Sequence, residues 1–232
     1  MKRVHKVILT EKKGIVIGRT LIIADLHLGI EGILEEKGMA VPSLQIESII
    51  SEVREMIEEF GPEELVVAGD LKHEFSRNVP SEWKDIKRFI ETVCKSVRLR
   101  IVRGNHDNFL QSILSKYGIE FSDSIDVDGY SVEHGHRESR SEKIVMGHEH
   151  PSIRLRHEGG IYSYRVFLHA KNDKREVWVL PHFSPILPGS NVLESGFLSP
   201  VMKSFSPDQI EVYAVEDDVY HMGNLKILKD FL

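Results

Sequence analysis

The chain predicts an α/β fold built from two packed sheets. Strand–helix–strand alternation between residues 15 and 102 implies parallel strands with crossover helices. After about Phe121 the texture changes to short β-like runs separated by Gly, Pro, Asp and Asn turns, as in an antiparallel or mixed sheet. At 232 residues, one domain over 1–232 accommodates both parts.

Residues 15–24 (IVIGRTLIIA) read as β-structure running into Asp25. The segment 28–41, with Gly29, Gly32 and Gly38, reads as a loop or broken helix. Ile46, Ile49, Ile50, Val53, Met56, Ile57 and Phe60 recur at helical spacing, with Pro42 before them and Gly61-Pro62 after. Residues 65–68 are a short buried strand ending at Gly69-Asp70. Trp83, Ile86, Phe89, Ile90, Val93 and Val97 mark a second amphipathic helix. Residues 99–102 form the next strand, and a helix is expected over 107–116. β-like runs follow at 125–127, 130–133, 143–146, 152–156, 161–168, 176–180 and 210–215. The proline-rich stretch 181–208 reads as a long ordered loop.

Composition narrows the function classes. Hydrophobic content of 41% and charged content of 28% suit a globular chain with a sizeable core. A net charge of −6 argues against a broad basic face for nucleic acid, although bound metals and local arginines can reverse the field near a site. Cys94 is the only cysteine, so no internal disulfide forms; it is read as a small core residue of the second helix. A disulfide-stapled secreted class is excluded and cytoplasm is the default. No signal peptide is read at the N-terminus, and no run approaches the ~18 apolar residues of a membrane span.

Five short segments carry the chemistry. Asp25 and His27 flank one residue at a strand end, and strand alternation puts both on one side. Asp70 follows a buried strand through a glycine; it can bridge two metals or merely cap a helix. In Gly104-Asn105-His106-Asp107, Asn105 offers an amide oxygen. His106 and Asp107 form a base and its orienting carboxylate, unless Asp107 only caps a turn. His134 precedes Gly135 after another strand, and His148 and His150 again sit two apart at a strand end. Each segment alone is weak. In this order they supply the oxygen and nitrogen donors of a two-metal site, which clamps both the attacking and the leaving oxygen of a phosphoryl displacement. His136 and Glu149 lie inside motifs but face away by alternation; His5, His157, His169, His182 and His221 match no pattern.

DLHLG (25–29), GDLKH (69–73), GNHD (104–107), HG (134–135) and GHEH (147–150) together resemble the calcineurin-like metallophosphoesterase superfamily. The resemblance implies a four-layer αββα sandwich, two mixed β-sheets flanked by helices, with a di-metal centre at the strand ends. It implies that Asp25, His27, Asp70 and His150 hold one metal. Asp70, Asn105, His134 and His148 would hold the other, with His106 off both. The histidine three places after Asp70 resembles SbcD-type DNA repair nucleases and their small single-domain relatives. The pieces LPHFSPILPGSNV and SGFLSP resemble those small relatives too.

The expected reaction is phosphodiester hydrolysis by a hydroxide bridging the metals, on DNA or nucleotides. His106, oriented by Asp107, would protonate the leaving oxygen or stabilise the transition state, and His73 would contact the phosphate or the leaving group. A nitrogen and oxygen donor set without thiolates suits Mn²⁺, with Fe, Zn, Ni or Co as alternatives. Arg103, Arg137 and Arg154, with Arg140 and Arg156, are candidate phosphate contacts. The alternatives are a small-molecule phosphomonoesterase or a non-catalytic metal-binding scaffold. No membrane partner is expected.

Overall fold

The computed structural model describes residues 1–4, 6–42, 44–77 and 79–230, with only the backbone of residue 157. The first sheet takes the N-terminal half of the chain: β1 (Lys2–Val4), β2 (Val7–Leu9), β3 (Ile15–Ile17), β4 (Thr20–Ile23), β5 (Glu64–Val67), β6 (Arg98–Val102) and β7 (Glu120–Ser122), in that spatial order. β1 to β4 pair antiparallel, and β4 to β7 pair parallel. The crossovers carry α1 (Ile30–Glu36), α2 (Gln45–Phe60), α3 (Pro80–Val93) and α4 (Gln111–Leu114).

The second sheet holds β8 (Ser124–Val127), β9 (Tyr130–Glu133), β10 (Lys143–Met146), β11 (Pro151–His157), β12 (Gly160–Lys171), β13 (Glu176–Val179) and β14 (Ser190–Asn191), with β15 (Ile210–Val215) and β16 (Val219–Asn224) attached to β12. It is mixed: β9, β10 and β13 run parallel, whereas the β11–β12 hairpin is antiparallel. The chain ends in α5 (Leu225–Asp230).

Period-two alternation explains the layers. Leu21 and Ile23 of β4 pack on α2 and α3 through Ile49, Val53, Ile86 and Phe89. Ile22 and Ala24 face the other way and meet Val132, Val145, Phe167 and Trp178 of the second sheet. The outer face of the second sheet is covered by Val192, Met202, Phe205 and Leu225. Each fully buried Val, Leu or Ile contributes about 1.5–3 kcal/mol. The result is an αββα sandwich whose fourth layer is thin, made of irregular chain, short turns and α5.

Three expectations need correction. The helix expected over 107–116 shrinks to α4 and one following turn, because Phe109 adopts a left-handed φ of 72° and breaks it. Cys94 is exposed, not core: α3 ends at Val93, so position 94 leaves the buried stripe. The segment 28–41 contains α1, a short regular helix rather than a broken one.

Candidate metal centre

All five motifs follow the C-terminal ends of parallel strands: β4, β5 and β6 from the first sheet, β9 and β10 from the second. Ligands of α/β sheets gather at such ends. The first two loops continue the ladder past their strands: Asp25 N–H donates to Gly69 O (3.1 Å) and His27 N–H to Asp70 O (3.0 Å). The loops are not extended, however. Asp25, His27, Asp70, His148 and His150 all have φ between 46° and 71°. Strand alternation is therefore not what turns Asp25 and His27 inward; the left-handed backbone is. Asp and His tolerate that region better than most residues, at a cost of order 1–3 kcal/mol each.

Two glycines make room for the carboxylates. A Cβ at Gly104 would lie 2.0 Å from Asp70 Oδ1, and one at Gly147 would lie 2.6 Å from Asp25 Oδ2. Only a residue without a side chain lets the loops close this tightly.

The donors converge. Asp25 Oδ1 lies 3.4 Å from His150 Nε2, and its other oxygen accepts the His148 N–H at 2.9 Å. Asp70 Oδ2 lies 3.3 Å from His134 Nε2 and 3.8 Å from His27 Nε2, while its Oδ1 accepts the His106 N–H at 2.9 Å. His27 and His150 face each other, Nε2 to Nε2, at 3.3 Å. His134 Nδ1 donates to Ala68 O (3.0 Å), which turns Nε2 toward Asn105 Oδ1, also at 3.0 Å. The His148 ring stands 5.0 Å from the His134 ring. Among the described residues, three overlapping groups could each hold an ion: Asp25, His27 and His150; Asp25, Asp70 and His134; and His27, His73 and His106.

The charges fit cations. Burial pushes Asp25 up, but the His150 charge and hydrogen bond, then His134, outweigh it and hold the carboxyl below its usual range. Asp70 is lowered in the same way, mainly by His134. Burial acts against the His134 proton, yet the Asp70 hydrogen bond and charge raise it to about 9. Burial holds His27 down to about 3 and His148 to about 4. Without metal, two buried carboxylates are thus kept ionised by imidazole protons. Divalent ions can replace those protons at the same atoms.

The sequence matches the calcineurin-like phosphoesterase family over residues 18–220. The chain belongs to that family. It is a hydrolase of phosphoester bonds. The solved nuclease MPE of Pseudomonas putida is 19% identical, with a TM-score of 0.69 over 93% of this chain and 94% of that one. Yfce, a phosphoesterase from E. coli, is 17% identical, with a TM-score of 0.44 over 88% and 97%. At 19% identity the likeness to the nuclease shows a shared fold. No protein with a curated description matches the sequence.

In this phosphoesterase the partner of His106 differs from the expected one. Among the described residues no hydrogen bond or ion pair joins Asp107 to the His106 ring. Its oxygens accept the N–H of Gly104 (2.8 Å) and of Lys72 (3.3 Å), so it ties two motif loops together. Burial and the Asp70 charge push Asp107 up to about 6. His106 Nδ1 donates instead to the His73 carbonyl at 2.5 Å, and the two rings stack. The loop carrying His73 is pinned by Glu82, fully buried near the start of α3. Its carboxylate accepts the N–H of His73 (2.9 Å) and of Glu74 (2.7 Å) and pairs with buried Lys72 (3.4 Å). Adjacency in sequence suggested Asp107; contact in space selects His73 and Glu82.

Arg103, Arg137 and Arg140 line a cleft of about 300 Å³ that also reaches His134. Arg103 and Arg137 share Asp123, each at 3.7 Å. Arg154 and Arg156 are exposed along β11. Glu149 is buried and accepts the Leu198 and Ser199 N–H, anchoring the C-terminal loop. His136 packs on the His134 ring. His5 and the side chain of His157 lie outside the described residues, while His169 and His221 pair with Glu176 and Glu211, clear of the centre.

His182 and Gln45 carried no sequence signal, yet both reach the centre. His182 is fully buried, with its ring 5.4 Å from that of His150. Gln45, at the start of α2, donates to the Leu26 and His27 carbonyls and to Ser184 Oγ. A buried polar residue opening a helix was the one available hint.

Proposed function

We propose that this phosphoesterase hydrolyses phosphodiester bonds of nucleic acid or nucleotides with two divalent ions, Mn²⁺ foremost. A single domain over 1–232, working in the cytoplasm, carries the activity. Asp25, His27, Asp70 and His150 hold one ion; Asp70, Asn105, His134 and His148 hold the other. The mixed oxygen and nitrogen set, with no thiolate, supports Mn²⁺, with Fe, Zn, Ni or Co as alternatives. When bound, such ions lower the pKa of water and neutralise phosphate oxygens.

The observation that carries this reading is the placement of His106. It stands at the rim of the buried donors with its Nδ1 fixed on the His73 carbonyl. Its Nε2 lies 3.9 Å from Asp70 Oδ2 and remains for substrate. From there it donates a proton to the leaving oxygen. His73 steadies the phosphate beside it. Arg103 and Arg137, with Arg140, meet flanking phosphates in the cleft next to His134. The fold shared with the nuclease MPE of Pseudomonas putida supports nucleic acid as the substrate class.

The test is Mn²⁺-loaded protein assayed on bis-p-nitrophenyl phosphate, p-nitrophenyl phosphate, cyclic nucleotides and single- and double-stranded DNA. Diesters are expected to be cleaved, with activity lost in EDTA and restored by metal. Turnover of the monoester alone overturns the diesterase reading, and activity that survives exhaustive chelation overturns the role of metal.

A further inference from the structure

A second cleft, of about 560 Å³, has His182 in its wall, whose ring lies 5.4 Å from that of His150. Arg165 of β12 lines it. Its guanidinium is held by neutral partners: Nε donates to His182 Nε2 (3.3 Å), and Nη2 to the carbonyls of Ser184 (3.0 Å) and Pro185 (3.4 Å). No ion pair to Arg165 is present among the described residues. Two other charges nearby cancel each other: Lys13, its side chain only 10% exposed, pairs with Glu52. Glu11 in the same wall pairs with the N-terminal ammonium and Lys12, which also serve Asp218, Glu55 and Glu59, and Glu216 is exposed at the rim. The cleft therefore holds an oriented, half-buried guanidinium whose hydrogen-bond partners are all neutral, while the Glu52 carboxylate acts on it only through space. Buried charges without partners are costly and mark sites where a ligand supplies the counter-charge.

Other features fit an extended anionic ligand. Tyr162, half exposed at the lip, offers a flat ring to a base. Ser152 Oγ, also in the wall, has no hydrogen-bond partner among the described residues. One imidazole, His182, separates the Arg165 guanidinium from the His150 ring.

We infer that this cleft is a phosphate subsite, in which Arg165 binds a phosphate flanking the scissile one on the His150 side. The ligand is a strand with more than one phosphate, not a lone diester. The inference rests on the phosphodiesterase reading above.

Chain-length dependence tests it. With Mn²⁺, kcat/KM is measured for a dinucleoside monophosphate and for single-stranded oligonucleotides of increasing length, in wild type, Arg165→Met and Arg165→Lys. The wild type is expected to gain about tenfold with added phosphates. Arg165→Met should remove the share of that gain that Arg103, Arg137 and Arg140 do not supply, lowering it several-fold, and Arg165→Lys should keep most of it, with melting temperature and metal content as controls for folding. In Mn²⁺-loaded His106→Ala protein, the salt slope of oligonucleotide binding, read by fluorescence anisotropy, should fall by about 0.7 on adding Arg165→Met, the loss of one phosphate contact. Inorganic phosphate as competitor separates the sources: displacement of the oligonucleotide at equal phosphate concentration assigns the site to a free anion and overturns the strand. Should Arg165→Met not fold, Tyr162→Ala at the lip is expected to lower the length-dependent gain several-fold, and an unchanged gain overturns the inference. Cleavage of bis-p-nitrophenyl phosphate without any length effect overturns the subsite and leaves the diesterase intact. No cleavage of any diester overturns the diesterase itself.

Discussion

The inner and outer parts of the centre differ in how much water reaches them. The side chains of Asp25, His27, Asp70 and His134 are at most 3% exposed. His106, by contrast, is 28% exposed, and Phe75 beside it is 54% exposed. The inner part is a set of buried donors that can take cations in place of imidazole protons. The outer part is a rim that a substrate can touch. Variants in the two parts should therefore fail differently, and the contrast can be broken by measurement.

The largest effect is expected inside. Asp70→Asn removes charge and one good oxygen from both donor sets, so both ions should be lost. Losing several kcal/mol of charge stabilisation corresponds to roughly a thousandfold or more in rate. Asp25→Asn should mainly empty one site. Two full metals by elemental analysis in Asp70→Asn would refute its shared role.

At the rim, His106→Ala should keep both metals and lose roughly 10²–10⁴-fold in turnover. The loss should be smaller for nitrophenolate, which leaves without a proton, than for nucleoside or alkyl esters. Equal losses on both would make His106 a positioning group, and a lost metal would move it into the inner part.

Glu82→Gln probes the support of that rim. It leaves the buried Lys72 charge, 3.4 Å away, unpaired and loosens the loop whose His73 carbonyl holds His106. Removing one member of a buried pair costs about 3–5 kcal/mol, readable as a lower denaturant midpoint. Lys72→Met with Glu82→Gln should recover much of it. In kinetics Glu82→Gln should mimic His106→Ala weakly, with the same leaving-group bias and no loss of metal.

The smallest signal is a proton. His134 holds one up to about 9 in the metal-free protein, above its ordinary 6.5. Its contribution to metal-free stability is thus full below 6.5 and fades as pH rises through 9. Metal loading at pH 7 must expel that proton, so affinity should rise with pH and loading should acidify an unbuffered solution. Uptake without proton release would show that His134 does not bind metal.

Much of this arrangement is legible in the sequence, but unevenly. The buried strands announce themselves because each is a short apolar run with turns at both ends, as at residues 65–68 and 143–146. The N-terminal strands β1 and β2 stay hidden because Lys2, Arg3 and Lys6 dilute the apolar run that pairs with β3. The donors are legible because Asp, Asn and His recur beside glycines at strand ends. Their supports are not. Glu82, Gln45, His182 and Arg165 come from α3, α2, the 181–208 loop and β12, and only the folded chain brings them to the centre. Asp107 was assigned to its sequence neighbour, whereas its carboxylate serves backbone groups in two loops.

The left-handed backbone at five donor positions has a consequence for how the sequence can drift. Threonine, valine or isoleucine at positions 25, 27, 70, 148 or 150 would meet two objections, one from chemistry and one from geometry. Asparagine and glycine meet only the first. A descendant that abandoned metals should still carry Asn, Asp or Gly at these places, because the loops would demand it after the ions had gone. The spelling of these motifs would thus outlive their use, whereas His106, the proton donor of the proposed reaction, sits on backbone that makes no such demand.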